Sequence, residues 1–491
     1  MMTMMKIRPL LALSMLLFCL PFAGTYWMVL QDAELGAQDL FDVAEVKALF
    51  LVCYVLLAIL AARQLLYRDK WALLIVTLGM IHLGVQGFYI DEIYTYDRGA
   101  HVRTVAYIAE HGTLQPITMD YNEAHQPPLY YVTSAMIVWV TELLGYYSFA
   151  PLNFINFLYF SLFLIYGAKL TGHLVSALSL RYALTAGFMF WPGHLMHSIR
   201  ISNDMLLYLI MTMFLYYGLR WYRYKEQRDF TYALLLIAVC FLTKLSAILL
   251  LQIGALILLF RFLQDKTVGR FNHELPALKT VSLLVIGIIM CAGVPLGRTA
   301  YYHHHDEKLS LLFGSSEKET TRKRRSPIKA VQHFSFNYVK YAANPMRMDR
   351  NFWNKYMTTH MFGEARRFPY KYKHLAPILG FCFLIVVING FIQLYYQFII
   401  RQSSNYYPLL LFSFCACIAA TLTGLRLLES SSGWGDIRHA YPAVLLLLLM
   451  QAMLTQHDIG DGERKRLYYV NAGLFILLMV MASIYTMLQL F

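Results

Sequence analysis

Long apolar stretches separated by short polar segments recur along the whole chain. A helix that spans a membrane needs roughly 20 mostly apolar residues, and about a dozen stretches reach that length. The pattern predicts an all-α polytopic membrane protein with about thirteen transmembrane helices. These helices are expected near residues 9–30, 46–62, 72–89, 128–147, 204–220, 278–297, 374–395, 407–425, 440–455 and 467–489, with two more between 150 and 200 and two short ones between 231 and 262.

The composition indicates the same class. Hydrophobic residues make up 58% of the chain and charged residues only 14%, whereas soluble domains are about a quarter charged. Two soluble domains, which a length of 491 residues would allow, are therefore excluded. The net charge of +13 is expected to orient loops and to meet anionic membrane lipids. The sequence contains no recognisable nucleic-acid-binding module, so no nucleic acid is expected as a partner.

Basic residues in short loops mark the cytoplasmic side of a membrane protein. Arg63, Arg68 and Lys70 follow the helix at 46–62, so the next helix should emerge on the far side with Asp91 and Glu92. Helix parity places two larger loops on that extracytoplasmic side. The predicted organisation is extra N-terminal helices (1–71), a transmembrane module with the first loop at 90–127 (72–297), the second loop (298–373) and C-terminal helices (374–491).

Lys244 interrupts an apolar stretch whose two flanks are both basic. Both ends of residues 231–262 are therefore expected on the cytoplasmic side. Two short helices that form a hairpin with Lys244 near its tip satisfy this pattern, because backbone breaks at membrane depth are tolerated where they line a cavity. An ionisable residue inside a membrane segment indicates a functional site. The alternative is a lysine whose long side chain reaches the membrane surface.

Acidic residues gather in the first loop. Asp91 and Glu92 leave one helix, and Glu123 and His125 stand just before two prolines that begin the next. Two acids brought together can hold a divalent cation, or one can serve as a base toward a hydroxyl or an amine. The alternative is that these acids are only solvated helix ends.

Several short motifs along residues 72–445 resemble those of the C-type membrane glycosyltransferases, the GT-C fold. The resemblance is to the bacterial branch near the protein O-mannosyltransferases and the lipid A aminoarabinose transferase, glycosyltransferase family 39. The motifs are the first-loop acids, Glu-Ala-His-Gln-Pro-Pro-Leu-Tyr-Tyr at 123–131, Ser-Asn-Asp at 202–204, Leu-Thr-Lys-Leu-Ser-Ala at 242–247, Phe-Trp at 352–353 with Phe-Gly-Glu at 362–364, and Asp-Ile-Arg-His-Ala-Tyr-Pro-Ala at 436–443.

This resemblance implies a sugar donor carried on polyprenyl phosphate or dolichyl phosphate, and inversion at the anomeric carbon. It implies that Asp91 is the base or a metal ligand and that Glu123 is the second acid. A divalent cation, Mg²⁺ or Mn²⁺, is the candidate cofactor, with Asp91 and Glu123 as its ligands. The chain departs from the family because two helices precede the one that delivers Asp91, which affects the numbering of helices rather than the site.

A phosphate-bearing donor needs cationic partners, since arginine grips phosphate through two donors and lysine supplies a point charge. Asn203 and Asp204 open a predicted helix, and capping of that helix is their alternative role. The residues predicted to bind substrate are Glu92, His125, Asp204, Lys244, Arg366, Arg367, Arg438 and His439.

The sequence favours an inverting glycosyltransferase with its active site on the extracytoplasmic face, in a bacterial inner membrane facing the periplasm. Its partners are then a lipid-phosphate-linked sugar, membrane lipids, and an acceptor that is a protein, a glycolipid or a growing glycan. Two alternatives remain open. A polysaccharide polymerase or ligase also joins many helices to a basic outer loop. A lipid-linked sugar flippase or transporter would place more ionisable groups within its helices.

Overall fold

The computed structural model describes residues 44–89, 98–117, 124–143, 150–189, 201–267, 278–305, 375–400, 406–428, 437–457 and 465–488, together with a few single positions between them. This part of the chain is helical and contains no strand. Its helices are α1 (Ala44–Leu66), α2 (Lys70–Tyr89), α3 (Arg98–His111), α4 (Leu129–Leu143), α5 (Ala150–Leu174), α6 (Leu178–Met189), α7 (Asp204–Tyr224), α8 (Gln227–Thr243), α9 (Ile248–Thr267), α10 (Leu278–His305), α11 (Leu375–Tyr395), α12 (Tyr407–Leu428), α13 (Ile437–His457) and α14 (Lys465–Leu488).

Five of the described helices are long and apolar enough to cross a membrane, which confirms the predicted all-α membrane protein. These segments are Ala48–Leu66, Pro151–Leu174, Leu245–Lys266, Val285–Tyr302 and Ile378–Ile400. Shorter apolar helices accompany them, among them α4 with 15 residues. The helix predicted at 9–30 lies outside the described residues except for single positions.

Helix α10 extends beyond its apolar stretch. The apolar pattern ends at residue 297, and α10 continues through His305. The predicted organisation, with a second loop at about 298–373, stays a prediction. Pro295 lies inside this helix and removes one backbone donor. The Thr299 hydroxyl donates to the Pro295 carbonyl at 2.9 Å. Arg298 is anchored to the first loop, as described below, and tertiary contacts of this kind extend a helix beyond its apolar run.

Helix α5 lies at the centre of the bundle. Phe154, Phe157, Phe160 and Phe163 lie on it at helical spacing and are fully buried. The helix packs against α1, α2, α6 and α7. A buried hydrogen bond of 2.8 Å joins the hydroxyl of Ser161 on α5 to that of Tyr54 on α1, and hydrogen bonds between helices of this kind stabilise membrane bundles.

One end of the bundle carries most of the described ion pairs. Their charged side chains come from the ends of several helices and from the turn between α1 and α2. The pairs include Arg181–Asp69 at 3.0 Å, Arg220–Asp229 at 3.2 Å, Lys225–Asp265 at 3.1 Å and Arg261–Asp265 at 2.7 Å. We call this the basic end. Since α7 ends here and the antiparallel α8 begins here, residues 204 and 244 lie together at the opposite end, which we call the Lys244 end.

Candidate active site

A break in the backbone at Lys244 separates α8 from α9. Lys244 has an extended conformation (φ −160°, ψ 142°), and its N–H still donates to the Cys240 carbonyl. A single turn of 3₁₀-helix, Leu245–Ala247, follows before α9 begins. The predicted interruption at Lys244 is therefore present. The two helices do not pack chiefly as a hairpin, however, because α8 packs mainly on α7 and α10, and α9 mainly on α12.

The Lys244 ammonium forms a buried ion pair with Asp204, the first residue of α7. The distance from Nζ to Oδ1 is 2.5 Å, and the side chains are 9% and 1% exposed. A buried charge is tolerated when it is paired and hydrogen-bonded. The Asp204 carboxylate also lies at the N-terminus of α7, where the helix dipole favours a negative charge. Two residues predicted separately to bind substrate are thus brought into contact.

Asn203 joins three segments of the chain at this end. Its Nδ2 donates to the Thr243 carbonyl at 3.1 Å and lies 3.4 Å from the Gln126 Oε1 in the first loop. Asn203 is 1% exposed, and its Oδ1 has no partner among the described residues. The amide makes no capping hydrogen bond to α7. Asn203 therefore does not cap α7 through its side chain. Its side chain instead forms a polar bridge between α7, α8 and the first loop.

The first loop packs onto the Lys244 end through α3 and α4. The His101 Nδ1 lies 2.7 Å from the Tyr131 hydroxyl, which ties α3 to α4. Both helices share a small hydrophobic cluster with Leu152, near the start of α5, and Ile201, which precedes α7. The cluster brings the segment that carries His125 and Gln126 close to the Asp204–Lys244 pair.

Half-buried Arg298, on α10, is a site residue that the sequence did not single out. Its Nη1 donates to the Ala124 carbonyl at 2.6 Å and its Nη2 donates to the Gln115 carbonyl. The signal available in the sequence was an arginine immediately after the apolar stretch at 278–297. The apolar pattern predicts a loop from that position, so it assigns the arginine no place on a helix.

The predicted site residues divide into three groups. Asp204, Lys244 and His125 belong to one region, because the His125 Nε2 lies 3.3 Å from the Gln126 side chain that reaches Asn203. Two further predicted residues, Arg438 and His439, lie in the first turn of α13, and nothing is described of their side chains. The remaining predicted residues, Asp91, Glu92, Glu123, Arg366 and Arg367, lie outside the described part of the chain.

The predicted divalent-cation site rests on Asp91 and Glu123, so it too lies outside the described residues and stays a prediction. Within the described part of the chain, no group of three or more histidine, cysteine, aspartate or glutamate side chains could hold a metal ion. What the described residues provide is a set of hydrogen-bond donors gathered at one end of an apolar bundle. Donors held in place in this way, away from bulk water, can stabilise negative charge.

No protein-family model matches the chain, and no curated protein matches its sequence. Its structure resembles that of the Archaeoglobus fulgidus oligosaccharyltransferase in the apo form, with a TM-score of 0.46 and 13% identity over 86% of this chain and 56% of that one. The chain therefore spans just over half the length of that protein. It also resembles ArnT from Cupriavidus metallidurans bound to undecaprenyl phosphate, with a TM-score of 0.36 and 14% identity over 84% of this chain and 78% of that one.

With TM-scores below 0.5 and identities below 15%, neither likeness assigns an activity or a site to this chain. The case for a function therefore depends on the residues of the chain itself.

Proposed function

We propose that this protein is an inverting glycosyltransferase that moves a sugar from a polyprenyl-phosphate or dolichyl-phosphate carrier to an acceptor. The reaction takes place at the Lys244 end of the bundle. The observation that carries the proposal is the buried Lys244–Asp204 pair at a break between two apolar helices. An ion pair in that setting is costly to bury and indicates a functional site.

The position of the pair supports a lipid-borne substrate. Lys244 ends one apolar helix and precedes another, so a phosphate at the membrane surface can approach it while its hydrocarbon tail stays beside the helices. The N-terminus of α7 adds a positive dipole at the same place. Asp204 holds the Lys244 ammonium in position, and the side chains of Asn203 and Gln126 are in contact with each other at the same end of the bundle. Arg438, His439, Arg366 and Arg367 are proposed to complete the cationic surroundings of the phosphate.

The proposed reaction is a single displacement. A hydroxyl or amine of the acceptor attacks the anomeric carbon, and the bond from that carbon to the phosphate oxygen breaks. Asp91 takes the proton that the acceptor loses, and Glu123 and Glu92 orient the acceptor. Negative charge grows on the departing lipid phosphate, where Lys244 and the arginines stabilise it. Because the donor is already activated, positioning and electrostatics are sufficient for catalysis.

The distribution of basic residues supports one orientation in the membrane. The basic end carries the arginines and lysines of several short loops, so the positive-inside rule favours the cytoplasm for that end. The Lys244 end then faces the opposite side, which is the periplasm if the membrane is a bacterial inner membrane. In the alternative form of the proposal, Asp91 and Glu123 hold a divalent cation instead of serving as the base and an orienting acid.

The test compares two lysine–aspartate pairs at opposite ends of the bundle. Lys244→Met and Lys225→Met are each purified into nanodiscs and given a radiolabelled polyprenyl-phosphate sugar with membrane extract as acceptor. Loss of a charge that stabilises the leaving group is expected to lower transfer by about 100-fold or more in Lys244→Met. Lys225→Met, whose pair with Asp265 lies at the basic end, should stay within about threefold of wild type.

Both variants are compared at equal amounts of folded protein, measured by gel filtration. Equal activities in the two variants would remove Lys244 from the site. A wild-type protein that transfers no sugar from any donor, but speeds the movement of labelled lipid across vesicle bilayers, would favour the flippase alternative instead.

A further inference from the structure

We infer that Arg298 is a positioning residue that fixes the first loop at the Lys244 end by binding two of its backbone carbonyls at once. The catalytic consequence rests on the function proposed above. The clamp itself rests only on the contacts of the described residues, and it can be tested without any enzyme assay.

The two carbonyls belong to Gln115 and Ala124, nine positions apart in the first loop. The guanidinium of Arg298 donates one terminal nitrogen to each of them. Gln115 and Ala124 are both buried, and a buried backbone carbonyl needs a hydrogen-bond partner. The planar fork of arginine presents its donors in fixed directions. A single side chain thus joins α10 to two separate points of the loop.

The clamped segment is connected to the ion pair by a short series of contacts. Ala124 is followed by His125 and Gln126, and the Gln126 side chain lies 3.4 Å from Asn203. Asn203 donates to the carbonyl of Thr243, the residue before Lys244. A shift of residue 124 would therefore be passed to the backbone beside Lys244 through two side chains, those of Gln126 and Asn203.

Charge neutralisation does not explain this arginine within the described part of the chain. The described ion pairs do not include it, and its guanidinium lies 5.9 Å from the centre of the Tyr302 ring. Its described partners are carbonyl oxygens, whose recognition depends on direction as well as on charge. Lysine keeps the charge but supplies donors from a single nitrogen, so it is not expected to span the two carbonyls.

Hydrogen–deuterium exchange in nanodiscs tests the clamp directly. Arg298→Met and Arg298→Lys should each raise exchange of the backbone amides of residues 112–115, 117 and 124–126 by about tenfold, because the loop loses two anchoring contacts. The matched control is Arg223→Met at the basic end, since Arg223 also donates to a backbone carbonyl, that of His173, at 3.2 Å. Exchange in the first loop should not change in that control.

Kinetics with the polyprenyl-phosphate sugar distinguish positioning from a purely structural role. We expect kcat to fall about tenfold or more in both Arg298 variants, since a misplacement of about 1 Å at a site can cost a factor of about 100. The KM for the donor should rise by a smaller factor than kcat falls, because the Lys244 side chain is retained even though the backbone beside it shifts. Arg298→Lys keeps the positive charge. It therefore still tests the clamp if Arg298→Met does not fold.

Wild-type exchange rates in either Arg298 variant would overturn the clamp. Raised exchange with an unchanged kcat would overturn its role in positioning the site. If wild-type protein transfers no sugar, the proposed function fails, and the exchange results still decide whether Arg298 holds the loop.

Discussion

The buried pair of Asp204 and Lys244 gives the sharpest prediction about stability. Replacing Lys244 with methionine leaves the Asp204 carboxylate unpaired at a position that is 1% exposed. Removing one partner of a buried ion pair typically costs about 3–5 kcal/mol. A loss of about 3 kcal/mol lowers the ratio of folded to unfolded protein about 150-fold at 25 °C. The single variant Asp204→Leu, which leaves the ammonium unpaired, should lose a similar amount.

The double variant Lys244→Met with Asp204→Leu separates the interaction energy of the pair from the contribution of its surroundings. Replacing a buried pair with apolar residues of similar size is often neutral or stabilising. We therefore expect the double variant to lie within about 1 kcal/mol of wild type, so that the coupling energy is about 3 kcal/mol or more. The assay is SDS titration in mixed micelles, followed by the fluorescence of the seven tryptophans.

The control for this cycle is the pair at the basic end. Lys225 and Asp265 are 28% and 22% exposed, and Asp265 keeps Arg261 as a second partner at 2.7 Å. Lys225→Met should cost no more than about 1 kcal/mol. Losses below about 1 kcal/mol in both single variants at the Lys244 end, or a double variant whose loss equals the sum of the single losses, would refute the reasoning.

Two further predictions concern helix packing and use the same titration. A Cβ added to Gly187 would lie 2.0 Å from the sulfur and 2.9 Å from the Cβ of Met479 on α14, so Gly187→Ala should cost about 1–3 kcal/mol. Gly293→Ala should be neutral or stabilising, because nothing lies within 4 Å of its added Cβ. Equal losses of stability in Gly187→Ala and Gly293→Ala would contradict this account. Tyr54→Phe removes the 2.8 Å hydrogen bond to Ser161 and should cost about 1 kcal/mol; wild-type stability in that variant would show that the bond does not hold α1 to α5.

The helices were largely predictable, because apolar stretches of membrane-spanning length leave little choice of backbone. The break at Lys244 was predictable too. Basic residues on both flanks put both ends of the segment on the same side of the membrane, so the chain must turn back near its middle. Contact between Lys244 and Asp204 was not predicted, although the predicted helices allow it. The helices on either side of Lys225 are antiparallel, so residues 204 and 244 lie at the same end.

Other features could not be derived from apolar patterns. The contacts of Arg298 depend on where the first loop lies in the folded chain. The hydropathy pattern shows only that an apolar stretch ends at Gly297. The same limit explains why Asn203 was considered as a helix cap. Its partners, Thr243 and Gln126, are distant in sequence and are brought near by tertiary packing.

The most direct test of the proposed function measures both products of the transfer. Purified wild-type protein and Asp91→Asn are incubated in nanodiscs with a panel of synthetic polyprenyl-phosphate sugars and membrane extract, and the release of free polyprenyl phosphate is measured together with label on the acceptor. We predict equal amounts of both products with wild type and neither with Asp91→Asn at equal folded protein. The absence of both products with wild type and every donor would contradict the account.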